Sequence, residues 1–277
     1  MKVGYLGPKS SFTFQAASEL FAEDTLVPFA SIPLTLEQLE AKKIDFAVVP
    51  IENSLEGSVH ATVDHLFGQS SITVKEEVIL PIRQQLLGTH SMEQPEKILS
   101  HPQALAQTKQ YLKNHYPGVP LEAVSSTTFA AQYLAKHSRE KVLAIASEKA
   151  AQEYNLKIIA ADIQDNVMNQ TRFWVLSTEK KKKKTTNQQN KKATLFITLP
   201  ANLPGALHQV LAAFAWREID LAKIESRPLK THLGEYFFII DIVLNENEAL
   251  LENAITEIEL LHAKVQWVGR YPINKFT

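Results

Sequence analysis

The sequence predicts an α/β protein whose last third forms a separate ferredoxin-like unit in the order βαββαβ. Three observations carry this expectation. Over residues 1–178, short β-rich runs alternate with helical patterns, as in mainly parallel sheets covered by helices. A lysine-rich run at 179–192 then breaks the composition. Beyond it, apolar periods of two and of 3.6 follow one another as strand, helix, strand, strand, helix, strand.

In the first region, Val3–Leu6 leads into a helical pattern over 11–21. Leu26–Phe29 leads into another over 35–43, with Leu36 and Leu39 on one face. Phe46–Val49, Lys97–Leu99, Leu121–Val124 and Val142–Ala146 are further strands. The unbroken apolar run Val142–Ala146 suits a strand covered on both faces. The strand-to-helix junctions read Gly7-Pro8-Lys9-Ser10-Ser11, Pro50-Ile51-Glu52-Asn53-Ser54, Ser100-His101-Pro102-Gln103 and Ser125-Ser126-Thr127-Thr128. Such junctions gather at the carboxyl ends of parallel strands, where ligands bind. Each is also an ordinary helix cap. Four together predict a polar cleft, and helix N-termini rich in hydroxyls suit anions, so a small carboxylated ligand is expected.

Lysines occupy 180–184, 191 and 192. Like charges repel and nothing between them can pack, so 179–192 reads as a solvated linker. The alternative, a polybasic patch for a membrane or an anionic polymer, lacks any accompanying aromatic or amphipathic stretch. The second region, 193–277, opens with strand Thr194–Leu199. Asn202-Leu203-Pro204-Gly205 then turns into a helix carrying Leu207, Val210, Leu211 and Phe214 on one face. Strands Ile219–Ile224 and Tyr236–Leu244 follow, then a helix over 246–262 bearing Leu251, Ala254, Ile255 and Ile258, and a last strand Val265–Val268. So small a unit has a modest core, which makes pairing with a second copy expected.

Composition narrows the chemistry. The net charge of −1 argues against nucleic acid as a partner. No cysteine is present, which removes disulfides, thiolate nucleophiles and cysteine-bound zinc. No segment is apolar for long enough to span a bilayer, and the N-terminus reads as a strand, so a cytoplasmic protein is the simple expectation. There is no glycine-rich phosphate loop and no serine nucleophile elbow. His60 and His65 are five apart and share no helix face, so no metal is expected, and no cofactor. The chemistry must run on hydrogen bonds, hydroxyls and one or two charges.

The stretch Asn166–Leu176 concentrates these groups. Amides and a hydroxyl end in Thr171 and Arg172, then pass directly into the apolar run Phe173-Trp174-Val175-Leu176. A guanidinium entering a core needs an anion, because a buried unpaired charge is costly. Either a structural carboxylate supplies it, with Glu52 and Asp165 as candidates, or a ligand does.

Several motifs stand in a recognisable order. They are Gly7-Pro8 with Ser11-Phe12-Thr13, Val49-Pro50-Ile51-Glu52-Asn53-Ser54 with Gly57-Ser58-Val59, and Ser100-His101-Pro102-Gln103-Ala104-Leu105-Ala106-Gln107. Ser125-Ser126-Thr127, Ala144–Ser147, Ile163–Asn166 and Asn169-Gln170-Thr171-Arg172-Phe173 follow, then Gly205-Ala206-Leu207 and Glu225-Ser226-Arg227-Pro228. Together they resemble the monofunctional bacterial prephenate dehydratases, with a C-terminal ACT regulatory domain, from Lys2 to about Tyr271. Ser10, Ser11 and Thr108 depart from the family's usual glycine, threonine and cysteine.

The resemblance implies two lobes in the manner of a type II periplasmic binding protein, with the active site between them. It implies decarboxylative dehydration of prephenate to phenylpyruvate, without a cofactor, in L-phenylalanine biosynthesis. Thr171-Arg172-Phe173 matches the family's catalytic triplet. Thr171 then serves as donor to the departing hydroxyl, Arg172 as a clamp on a substrate carboxylate, and Phe173 as an apolar wall. Asn53, Ser100, Gln107, Ser126 and Thr127 supply neutral donors, Ser11, Thr13 and Ser54 bind substrate, and Glu52 orients the substrate or tethers Asn53. In the ACT domain, Gly205, Ala206, Leu207, Glu225, Ser226, Arg227 and Pro228 bind L-phenylalanine as feedback inhibitor at a dimer interface. A homo-oligomer, dimer or tetramer, follows from that expectation. An arogenate dehydratase and a non-catalytic sensor of aromatic or amino acids are the alternatives.

Overall fold

The computed structural model describes residues 1–90, 94–179, 191–200, 204–232, 235–244 and 248–276. Most of the lysine-rich run (180–190), the turn residues Asn202 and Leu203, and the expected helix start at 246 lie outside these.

The first elements are β1 (Val3–Leu6), α1 (Phe12–Ser18), β2 (Leu26–Phe29), α2 (Ile32–Glu40), β3 (Phe46–Asn53), the short β4 (Gly57–Ser58), α3 (His60–Leu66) and β5 (Thr73–Pro81). A second group follows: β6 (Gln85–Gly88), β7 (Lys97–Ser100), α4 (Pro102–Gln107), α5 (Lys109–His115), β8 (Leu121–Ala123), α6 (Thr127–Lys136), β9 (Val142–Ala146), α7 (Glu148–Glu153) and β10 (Lys157–Ala160). The chain then returns through β11 (Gln170–Ser177). The remainder is β12 (Lys191–Thr198), α8 (Ala206–Ala215), β13 (Leu221–Pro228), β14 (Tyr236–Leu244), α9 (Glu248–Leu260) and β15 (Lys264–Lys275).

Two lobes result, each built on its own sheet, because the chain crosses between them twice, near 82–84 and again near 161–169. The second lobe holds the sheet β10-β6-β9-β7-β8. The first lobe holds β5-β11-β3-β1-β2, and this sheet runs on through β15 into β13-β14-β12. The last four strands and two helices form the expected ferredoxin-like arrangement. Its β15 is long enough to serve both halves: it pairs with β12 along most of its length, then through Ile273–Lys275 with Glu77–Ile79 of β5. At Gly269 the two halves pack closely, and a Cβ there would lie 2.6 Å from the Val74 carbonyl oxygen.

Strand β11 shows how the layers are divided. Alternate side chains of a strand point to opposite faces. Phe173 and Val175 pack with Tyr5, Phe14, Val48 and Leu80 on the face covered by α1. Trp174 and Leu176 pack on the other face, with Phe196, Phe237, Ile239 and Tyr271 of the ferredoxin-like unit. A separate core lies between that unit's sheet and its helices, through Leu195, Ile197, Ile240, Phe214 and Ile255.

One expectation needs correction here. Lys191 and Lys192 do not belong to a solvated linker; they open β12. Lys192 is drawn into the interior by Glu77, to which its Nζ donates at 3.1 Å.

Candidate active site

A cleft of about 380 Å³ lies between the lobes, lined by residues of both. From the first lobe come Ser11, Thr13, Pro50, Asn53, Thr171 and Phe173; from the second come Gln107, Ser126 and Thr127. Three helices begin at its wall. Ser11 and Ser126 cap α1 and α6 by accepting from the N–H groups of Phe14 and Phe129, and the His101 ring caps α4. Helix N-termini favour anions. Among the described residues lining the cleft there is no Lys, Arg, Asp or Glu, so neutral donors and helix ends must hold any anion that enters.

Thr171 is where this polar wall is best organised. The Asn53 Nδ2 donates to Thr171 Oγ1 at 2.8 Å, to Asn169 Oδ1 at 2.8 Å and to the Gln170 carbonyl oxygen at 3.2 Å. Its own oxygen accepts from the backbone N–H groups of Leu55 (3.0 Å) and Glu56 (3.2 Å). Backbone amides can only donate, so they fix which end of the Asn53 amide faces Thr171. The direction then propagates: Asn169 Nδ2 donates to Gln107 Oε1 at 3.1 Å. Gln107 Nε2 is left buried without a partner. Because Thr171 Oγ1 accepts from Asn53, its proton is available to a group in the cleft.

A β-bulge brings Asn53 to that position. Pairing of β3 with β11 runs Asn53–Thr171 and Glu52–Arg172, then jumps to Pro50–Phe173, leaving Ile51 as an extra residue. The extra residue reverses the alternation, so Pro50 and Asn53 both reach the cleft side while Ile51 stays in the core behind. Bulges beside active sites re-aim side chains in this way.

Arg172 corrects the sequence expectation. It stands between Thr171 and Phe173 on a regular strand, so its side chain leaves on the far side of the sheet. There Nη1 donates to Glu52 at 2.6 Å, Nη2 to Glu77 at 2.7 Å and to Asp241 at 2.6 Å, and Nε to Glu77 at 3.1 Å. The structural reading of this arginine, with Glu52 as one partner, is the one the geometry holds. Glu52 likewise faces away from the cleft and meets Lys223 at 2.8 Å. Burial opposes the charge on Arg172, but Asp241 and then Glu77 outweigh it and push its pKa further up. Burial also raises the Glu52 carboxyl; the hydrogen bond and charge of Lys223, with Arg172, outweigh this and leave it below its ordinary value. Asp165, the other candidate partner, instead accepts from the N–H groups of Gln110 and Tyr111.

Two more expected site residues lie elsewhere. Ser100 is fully buried and donates to the Ile145 carbonyl oxygen at 2.7 Å, tying β7 to β9. Ser54 sits outside the cleft, accepting from Gln170 N–H at 2.9 Å, where it holds the chain entering β11. In the ferredoxin-like unit, Gly205 precedes α8 at φ 82°, with Ala206 buried and Leu207 partly exposed. Glu225 and Arg227 do not reach outward from the chain as expected. Strand alternation turns them to the first lobe, where Glu225 accepts from Ser58 and Arg227 meets Asp64 at 2.7 Å; Ser226 and Pro228 occupy the exposed face.

Sequence reasoning missed Asn169, Glu77, Lys192, Lys223 and Asp241. Asp241 had a legible signal: it is a lone carboxylate inside the strand Tyr236–Leu244, otherwise Tyr-Phe-Phe-Ile-Ile-Asp-Ile-Val-Leu. An unpaired charge there is untenable.

Fold and cleft together define a two-lobed α/β protein of the binding-protein type, with a cleft lined by hydroxyls and amides and a ferredoxin-like unit packed behind it. The family model of prephenate dehydratase matches residues 3–181, and the chain belongs to that family. A prephenate dehydratase of Lactococcus lactis subsp. lactis is 46% identical over 274 residues, spanning 99% of this chain and 98% of the other. One from Bacillus subtilis is 43% identical, covering 98% of each. Among solved structures, a prephenate dehydratase from Arthrobacter aurescens in complex with L-Phe superposes with a TM-score of 0.87 at 30% identity, covering 98% of this chain and 90% of that one.

Proposed function

We propose that the chain catalyses decarboxylative dehydration of prephenate to phenylpyruvate, with Thr171 as the donor to the departing hydroxyl. The observation that carries this role is the directed amide chain, which occupies the Thr171 oxygen and leaves its proton free. In the reaction the bond from the ring carbon to its carboxylate breaks. The electron pair moves through the ring, and the carbon–oxygen bond opposite breaks as the hydroxyl takes up a proton to leave as water. Aromatisation supplies the driving force. Thr171 is a weak acid, so it acts as a positioned donor and relay for a proton drawn ultimately from solvent. Asn53, fixed by two backbone amides, holds the threonine oxygen, and the free Gln107 amide is placed to donate to an anionic oxygen of the substrate. Ser126, Thr127, Thr13 and the helix starts hold the carboxylates, with Phe173 walling the ring. Such preorganised donors contribute several kcal/mol to transition-state stabilisation.

Residues 1–178 form the catalytic part in this reading, and the unit that opens with β12 at Lys191 an ACT-type regulatory part. In the same reading L-phenylalanine binds at Gly205–Leu207 and the exposed face of β13 with Ser226 and Pro228, completed by a second copy in a dimer or tetramer. The enzyme works in the cytoplasm; no described helix is long and apolar enough to cross a membrane. Purified protein should convert prephenate to phenylpyruvate, with inhibition by L-phenylalanine, and Thr171→Val should lose turnover while still binding substrate. No phenylpyruvate from the wild type would defeat the assignment. Among the described residues the cleft wall offers no carboxylate to an ammonium, so prephenate should exceed arogenate in kcat/KM; the opposite order would assign the other substrate.

A further inference from the structure

The charges behind β11 form a set shared between the two halves of the chain. The catalytic part contributes Arg172, Glu52 and Glu77, with one excess negative charge. The ferredoxin-like unit contributes Lys192, Lys223 and Asp241, with Glu225 beside Lys223 at 3.2 Å. Contacts of 2.6–3.1 Å join them: Arg172 to Asp241, Lys192 to Glu77 and Lys223 to Glu52. Glu77 is fully buried and Asp241 nearly so, and each meets a cation from the other half, Lys192 and Arg172 respectively.

The position of this set matters as well. Arg172 follows Thr171 in the chain, and Glu52 precedes Asn53. The two pairs are also cross-strand neighbours, Arg172 opposite Glu52 and Thr171 opposite Asn53. A shift of Arg172 or Glu52 therefore moves the backbone that carries the donor and its amide partner. Lys223 lies two residues before Glu225 on β13, contacts it at 3.2 Å, and also donates to Ser58 at 2.6 Å. The edge strand of the second unit is thus two contacts from the reacting hydroxyl.

We propose that Lys223 and Asp241, both outside the cleft, are positioning residues for the reaction: through Glu52 and Arg172 they hold the Asn53–Thr171 pair in place and couple it to the second unit. The inference rests on Thr171 being the donor assigned above. Because the substrate's anions are held by helix starts and amides of the cleft, loss of positioning should lower kcat and leave KM nearly unchanged. A merely structural contact would lower thermal stability without that split.

The test compares Lys223→Gln, Asp241→Asn and Asp64→Asn in the full chain, measuring kcat and KM on prephenate together with Tm. Asp64 is the control, since its ion pair with Arg227 crosses the same interface away from Asn53 and Thr171. The expected result is a loss of roughly tenfold in kcat for Lys223→Gln and for Asp241→Asn. KM should stay within about threefold and Asp64→Asn should keep wild-type kcat. Should Asp241→Asn fail to fold, Lys223→Gln, which alters a partly exposed group, carries the test alone. Wild-type kcat in the folded variants, or an equal loss in Asp64→Asn, overturns the proposal. An inactive wild type sinks the reading of Thr171 and this inference with it, whereas an active wild type beside unaffected variants sinks only the inference.

Discussion

Replacing Asn53 with aspartate changes one atom and reverses the hydrogen bond on which the site depends. In the native site the Asn53 Nδ2 donates to three oxygens, those of Thr171 and Asn169 at 2.8 Å and of Gln170 at 3.2 Å. A carboxylate oxygen in its place would face all three as another acceptor. Its other oxygen would still take the Leu55 and Glu56 N–H groups, so the side chain has no better orientation to turn to. Asn169 could answer by turning its amide over, and Gln107 after it. The Gln170 carbonyl cannot, and Thr171 could answer only by donating its own proton to the introduced carboxylate. That proton is the one assigned to the leaving hydroxyl. Removing one preorganised donor from a developing charge typically costs about 2.7–4 kcal/mol, a factor of roughly 10²–10³ in kcat. The added negative charge in a cleft that receives a dianion should raise KM as well. Steady-state rates of phenylpyruvate formation by the Asn53→Asp variant, with circular dichroism to confirm folding, measure both. A folded variant whose kcat stays within about threefold of wild type would refute the directed amide chain and the role of Thr171 built on it.

Two further outcomes follow from the backbone and the charge set. Ser10 holds φ at 69° in a position where it is almost fully buried, a conformation that costs a residue with a Cβ about 1–2 kcal/mol. Ser10→Gly should therefore stabilise the chain by about 1 kcal/mol, less some entropy of the freer unfolded chain, measured by urea unfolding; a loss of stability would show that the serine side chain contributes more than its strain costs. Glu52 has its folded pKa held below the ordinary 4.5 by Lys223 and Arg172, against the opposing effect of burial. A depressed carboxyl contributes stability above its unfolded pKa and loses it as pH falls through the folded value. The stability gap between wild type and Glu52→Gln should thus narrow as pH falls below 4.5, and a gap constant with pH would contradict it.

The divergence between what the sequence foretells and what the fold holds centres on Thr171-Arg172-Phe173. The layers, three of the four polar junctions and the βαββαβ order were legible because periodicity and turn chemistry are local; Pro50–Asn53, read as a junction, instead belong to β3 itself. The cleft residues Ser11, Thr13, Ser126 and Thr127 were legible for the same reason, since helix starts in an α/β sheet share one end. Ser100 shows the limit of that rule: its junction is at the cleft, but its hydroxyl turns inward to Ile145. Asn53 could be placed only with the bulge at Ile51, which depends on the register of β3 against the distant strand β11. No local pattern encodes that pairing.

Arg172 is different, because parity alone could have placed it. If Phe173 is an apolar wall of the cleft and the run is a strand, Thr171 shares its face and Arg172 cannot. Asking the arginine to hold substrate treated three consecutive residues as one site when a strand offers two. Composition then says where the guanidinium must go. The far face of β11 is core, so carboxylates must meet it there, and Glu77 and Asp241 are carboxylates buried within their strands. Asp241 belongs to the other half of the chain. The charge that called for a ligand in the sequence is therefore met at the interface between the two halves of the chain, one residue from the hydroxyl assigned to the chemistry. Neutral groups face the cleft, full charges stand behind them, and β11 carries both.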